Sequence, residues 1–207
     1  MLMSKLGTTL LVLLLTVISV SLQAAYSINS DSGTENEDSL YSIELDSGTA
    51  NRVASLSPAK MDVEGLAFAP DGTLYAIDDE TLTLFPLNPA TALVDTTQEA
   101  VLTGLSQAGQ NDFGMTFACD GTLYVTSIAE NALYRVDLNG QASRIGQLGA
   151  NISGIAAYGE PTVLYGLGNG LRTTNGENVE VDTPNLYQIN TATGAASFVG
   201  SLGSNID

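Results

Sequence analysis

Residues 65–77 read GLAFAPDGTLYAI and residues 114–126 read GMTFACDGTLYVT. A third stretch, GIAAYGEPTVLYGL at 154–167, has the same order of parts. Each opens on Gly with a short apolar strand, reverses at Asp71-Gly72, Asp120-Gly121 or Gly159-Glu160-Pro161, and resumes with a strand carrying Leu-Tyr. Asp-Gly between apolar runs is a chain reversal, because Gly takes the positive φ such turns need. The copies recur about every 40 to 50 residues, the period of propeller blades.

The pattern continues outward. A third strand recurs as LYSIEL (40–45), LTLFPL (82–87), LYRVDL (133–138) and LYQINT (186–191), each followed by a turn signal such as Asn139-Gly140. Alternating apolar and polar positions rich in aliphatic and aromatic residues mark half-buried strands. A fourth strand recurs as ANRVASLS, ASRIGQLG and ASFVGSLG, with a longer, looser copy around 92–105. Four antiparallel strands per unit, repeated, make the blade of a β-propeller. A β-solenoid is the rival, but its coils are shorter. No amphipathic helix interrupts the pattern. The expected fold is therefore all-β: a propeller over 26–207, with strands two to four of a first blade at 26–57 and blades at 61–105, 111–149 and 151–203. Residues 204–207 read as the opening of a further blade. The reading predicts about four blades, one inner strand missing, and so an incomplete ring.

Residues 1–25 carry Lys5, an apolar run from Leu10 to Val20, and small residues at Ala24 and Ala25, the pattern of a secretory signal. Export to the periplasm or beyond is expected, with no membrane span left after cleavage. The chain holds 23 Asp+Glu against 6 Lys+Arg, a formal charge of −17. So acidic a protein has few cations with which to displace counterions from a phosphate backbone, and nucleic acid is excluded as a partner. There is no His and no Trp, and Cys119 is the single cysteine. Ser-His-Asp and Cys-His catalysis, His-ligated zinc and an internal disulfide are thereby excluded.

The runs GLAFAPDGTLYAIDDETLTLFPLNPATA and GMTFACDGTLYVTSIAENALYRVDLNG resemble NHL-type repeats of secreted propellers. Val63-Glu64-Gly65, followed by a strand, a turn and Leu-Tyr, is similar to the metal-binding segment of the gluconolactonase and senescence-marker-protein family. That resemblance implies a divalent cation above the central channel, held by Glu64, with Asp207 as a second match; Phe113 and Ser153 stand at the equivalent places of the other copies. Phe cannot ligate a metal. Oxygen-only ligands of this kind suit calcium.

A second set is more regular. Asp62, Asn111 and Asn151 each lie three residues before a repeat Gly, and Asp112 adjoins the second. These positions lead into the innermost strands, so their side chains are expected either to converge at one mouth of the channel as a calcium or polar-ligand site, or to cap tight turns. Two acidic stretches, 29–39 and 168–185, read as loops on the same face, for recognition or for solvation. The functional expectation is a binding or interaction module whose partner, a small molecule or a protein, sits at the channel mouth, with no catalytic group in evidence. A metal-dependent lactonase and a structural segment of a larger surface protein are the alternatives.

Overall fold

The computed structural model describes residues 24–29, 38–105, 111–174 and 177–202. Most of the expected leader, the Asn175-Gly176 turn and Asp207 lie outside the described residues. All the regular structure among them is β, and no helix among them is long and apolar enough to cross a membrane.

Fifteen strands form four antiparallel sheets joined in chain order. The first sheet has three: β1 (Ala24–Asn29), β2 (Ser39–Glu44) and β3 (Thr49–Ser55). The second comprises β4 (Val63–Phe68), β5 (Leu74–Asp78), β6 (Thr83–Leu87) and β7 (Ala100–Val101). The third comprises β8 (Phe113–Phe117), β9 (Leu123–Ser127), β10 (Ala132–Val136) and β11 (Ala142–Gln147). The last comprises β12 (Gly154–Tyr158), β13 (Val163–Thr174), β14 (Glu177–Ile189) and β15 (Ala196–Ser201). This is the predicted propeller. In the first sheet, the counterpart of the inner strands β4, β8 and β12 is missing among the described residues.

The sequence repeat becomes a geometric one. The Asp71-Gly72 and Asp120-Gly121 turns match: each Asp Oδ1 accepts the N–H two residues on at 2.9 Å, and the glycines take φ of 88° and 84°. A register shift recurs between the Leu and Tyr of the third strand, at Leu40/Tyr41, Leu133/Tyr134 and Leu186/Tyr187. Such bulges raise the local twist, which lets flat pairs become blades.

Alternation in each strand gives each sheet two apolar faces, and neighbouring sheets close on them in turn. Leu40, Leu56, Leu74, Phe85 and Leu87 fill the first interface. Tyr75, Leu84, Leu102, Phe113, Val125 and Tyr134 fill the second. Tyr124, Leu133, Leu148, Ile152, Leu164 and Tyr187 fill the third. The Leu-Tyr tyrosines Tyr75 and Tyr124 are buried, and so belong to packing.

Two expectations are corrected. The stretch 168–185 is a β-ribbon instead of a loop: β13 and β14 stay paired from Gly168↔Asn185 to Thr174↔Glu177, with one bulge at Asn169/Gly170. The alternation of Val179, Glu180, Val181 and Asp182 is a strand signal that the acidic character hides. Within the first acidic stretch, Asp38 is fully buried and its Oδ2 accepts the Val63 N–H of the next sheet at 2.7 Å.

Candidate functional site

The inner strands β4, β8 and β12 lie side by side along the axis, and β1 packs beside β4. They run in the same direction, so their starts share one end of the channel and their finishes share the other. The residues singled out in the sequence lie at the starting end. At the finishing end, Tyr26, Leu66, Phe68, Met115, Thr116 and Ile155 line a cavity of about 320 Å³.

At the starting end Asp62 precedes β4, Glu64 lies within it, and the loop after β5 brings Asp79 alongside. The Asp79 N–H donates to the Asp62 carbonyl at 2.9 Å. Asp79 is only 4% exposed. Its Oδ2 accepts the Asn111 N–H of the third sheet at 3.2 Å, while Oδ1 has no hydrogen-bond donor among the described residues. Its side chain also meets that of Asp62, two carboxyls that hydrogen-bond to each other only when one of them keeps its proton. Burial first, then the Asp62 carboxyl, push the Asp79 pKa up to about 7; the Asn111 N–H works against this, and the charges of Asp62 and Glu64 reinforce it. The nearby cation does not relieve the site. Lys60 Nζ is engaged with Glu99 Oε1 at 2.5 Å and Thr83 Oγ1 at 3.2 Å, and lies 4.6 Å from the centre of the Phe85 ring.

The other predicted residues have different roles. Asn111 is 2% exposed, and its Oδ1 accepts Ser127 Oγ at 2.7 Å and the Ala129 N–H at 3.1 Å. It braces the loop of its own sheet, the capping alternative of the sequence reading, while its Nδ2 has no partner among the described residues. Asp112 is exposed, and it is its carbonyl that accepts, from the Ile128 N–H. Asn151 is half-buried and accepts from Asn131 Nδ2 at 3.3 Å, while Asn131 Oδ1 takes the Gly149 N–H at 2.7 Å. The structure thus brings Asp62, Glu64 and the Asn111 backbone together around Asp79, and keeps Asn151 at the next sheet junction. Among the described residues no three His, Cys, Asp or Glu side chains are grouped closely enough to hold a metal by themselves. A cation here would draw on Asp62 and Asp79 with backbone or amide oxygens and water, a mixture calcium accepts.

Asp79 is the residue the sequence reading missed. Its signal is the second carboxylate of LYAIDD, where the sister copy reads LYVTSI. The close approach of the inner strands also has a readable trace. A Cβ on Gly114 would lie 2.6 Å from the Ser153 carbonyl oxygen and from Thr126 Oγ1, so the repeat Gly lets adjacent inner strands approach.

No protein-family model matches the chain, and no curated protein matches it. Solved structures do. A Bacteroides thetaiotaomicron protein of unknown function is 16% identical with a TM-score of 0.57, over 89% of this chain and 47% of that one. An auxiliary nutrient binding protein from Bacteroides ovatus is 15% identical with a TM-score of 0.57, over 84% and 44%. Regucalcin, a calcium-binding protein from Agrobacterium tumefaciens, is 21% identical with a TM-score of 0.44, over 63% and 44%. The chain spans less than half the length of these proteins. The chain is a β-propeller protein, and what these similarities show is the fold alone.

Proposed function

We propose that the protein is an exported propeller binding module that takes a cation at the acidic end of its channel, with calcium as the candidate. The observation that carries this reading is Asp79: a carboxyl that is almost wholly buried, faces Asp62, and has one oxygen without a donor among the described residues. Buried carboxyls set face to face need either a shared proton or a cation, and a divalent ion replaces the proton once its concentration is sufficient. Asn111 and the loop after β5 hold the pair in place from two sheets, which fits a preformed site. The hydrolase alternative has Glu64 in its favour among the described residues; its second match, Asp207, lies outside them.

Thermal melting with and without millimolar calcium tests this. A rise in Tm that Asp62→Asn and Asp79→Asn each diminish supports it. Hydrolysis of a lactone or aryl ester that requires added metal and is lost in Glu64→Gln would instead favour the enzyme reading.

A further inference from the structure

Three sheet-to-sheet interfaces are made by one recurring set of residues, and the fourth sheet carries that set with nothing against it among the described residues. In each made interface the donor sheet contributes a third-strand leucine, and from just past its fourth strand a second leucine. The third-strand leucines are Leu40, Leu84 and Leu133; the others are Leu56, Leu102 and Leu148. All six are at most 4% exposed. Their counterparts in the last sheet are Leu186 and Leu202, both only half-buried. The second-strand residues repeat the contrast against the second and third interfaces; in the first, Tyr26 and Ile28 pack on the core while half-buried. Tyr75 and Tyr124 are buried at 7% and 5%, whereas Tyr165 is half-buried; Ile77 is at 0%, whereas Leu167 is 44% exposed. Tyr158, on the same strand pair, is 74% exposed.

The receiving side is also present, on the first sheet. The receiving face of the other sheets uses Phe85, Tyr134 and Tyr187 together with Leu87, Val136 and Ile189, all 7% exposed or less. The first-sheet counterparts, Tyr41 and Ile43, are only half-buried. Backbone bonds follow suit. The Thr103 carbonyl accepts the Ala142 N–H at 2.8 Å and the Leu148 carbonyl accepts the Ala196 N–H at 2.9 Å, each tying one sheet's exit to the outer strand of the next. Ala50, the counterpart of Ala142 and Ala196 in β3, is exposed.

One chain therefore carries both halves of an interface that, among the described residues, it does not make with itself. The solved propellers matching at a TM-score of 0.57 are about twice as long, with 47% and 44% of their length covered. We propose that two copies join head to tail, the Tyr165, Leu167, Leu186 and Leu202 face of each packing on the Tyr41, Ile43 and Ala50 face of the other. The result is a closed ring of eight sheets. Eight lies within the range propellers adopt, and a head-to-tail contact gives a closed assembly when its rotation closes. The occupant continues the three interfaces already made, and each copy fills both open faces of the other.

Light scattering on the chromatographed protein at micromolar concentration tests the pairing. The expected mass is twice that of the chain. Leu167→Glu and Ala50→Arg each give a monomer with melting within a few degrees of the parent; Leu202→Asp replaces Leu167→Glu if the latter does not fold. Mixing the two variants restores the dimer, because one interface is then unaltered and the other pairs Glu with Arg. A monomer throughout, a dimer indifferent to these substitutions, or masses that climb past two chains with concentration would each overturn the proposal.

Discussion

The two ends of the inner strands are built from the same three segments and have opposite chemistry. At the starting end Asp62, Glu64 and Asp79 gather charge, and polar side chains tie one sheet to the next: Asp38 to Val63, Asp79 to Asn111, Asn131 to Asn151. At the finishing end Tyr26 meets Phe68 edge to face at 5.7 Å, and the cavity beside them is lined by Leu66, Met115 and Ile155. A strand that alternates side chains across a sheet does not require this difference. It arises because the loops after the second strands fold over one end only, bringing carboxylates and backbone N–H groups together there. The starting end is thus both a joint and a candidate site, and the finishing end is a gap between apolar walls.

The largest effect is expected where backbone packs on backbone. Gly114→Val puts carbon into the Ser153 carbonyl and Thr126, neither of which can withdraw. A loss of about 3 kcal/mol in denaturant unfolding is expected. Gly65→Ala is the control along the same axis: its Cβ would meet Met115 Cγ and Sδ at 2.8 and 2.9 Å, a flexible side chain that can move aside. It should cost about 1 kcal/mol or less. Equal losses would remove the distinction between a rigid junction and an adaptable gap.

Lys60→Ala comes next. It removes a buried ammonium from Glu99 and Thr83, and a loss of about 2 kcal/mol is expected because Glu99 retains partial access to water. If Lys60 instead supplied the counter-charge of the channel mouth, this variant would also abolish calcium binding; the account predicts that binding survives.

A pH series separates the ends more finely. In the folded chain Asp79 holds its proton up to about pH 7, against 3.8 in the ordinary state. Its contribution to stability is therefore fully present below about pH 4 and is lost as pH rises through about 7. In chelator, Asp79→Asn should melt above the parent at pH 8, and that advantage should shrink towards pH 5. A difference that does not vary with pH would contradict a proton held at the Asp62–Asp79 contact. The smallest effect belongs to the finishing end. Phe68 is 44% exposed, and Phe68→Ser should cost about 1 kcal/mol with no change in pH response or calcium effect.

Much of the fold was legible because the repeat is written in turn chemistry. Asp-Gly at 71–72 and 120–121 sets each reversal, and the Leu-Tyr strands that follow alternate cleanly. The second blade's outer strand was not legible: around 92–105 the chain forms turns and an isolated bridge from Val94 to Leu87, and only Ala100–Val101 pairs as a strand. The ribbon at 168–185 was hidden by its acidic residues. For the site, Asp62 and Asn111 were singled out by their offset to the repeat Gly, with capping as one of two readings, and Glu64 by the family resemblance. Asp79 was missed because its position is set by a loop crossing a sheet boundary. No local pattern encodes a contact between residues 79 and 111.

The most direct measurement is the melting temperature of the protein in chelator and in saturating calcium, repeated on Asp62→Asn and Asp79→Asn. Calcium at about a hundredfold over its dissociation constant stabilises a folded state by about 2.7 kcal/mol. For a domain of this size that corresponds to a rise of about 5 to 10 °C. The account predicts such a rise in the parent and its loss in both variants. No shift at millimolar calcium, or a shift that both variants retain in full, would contradict it.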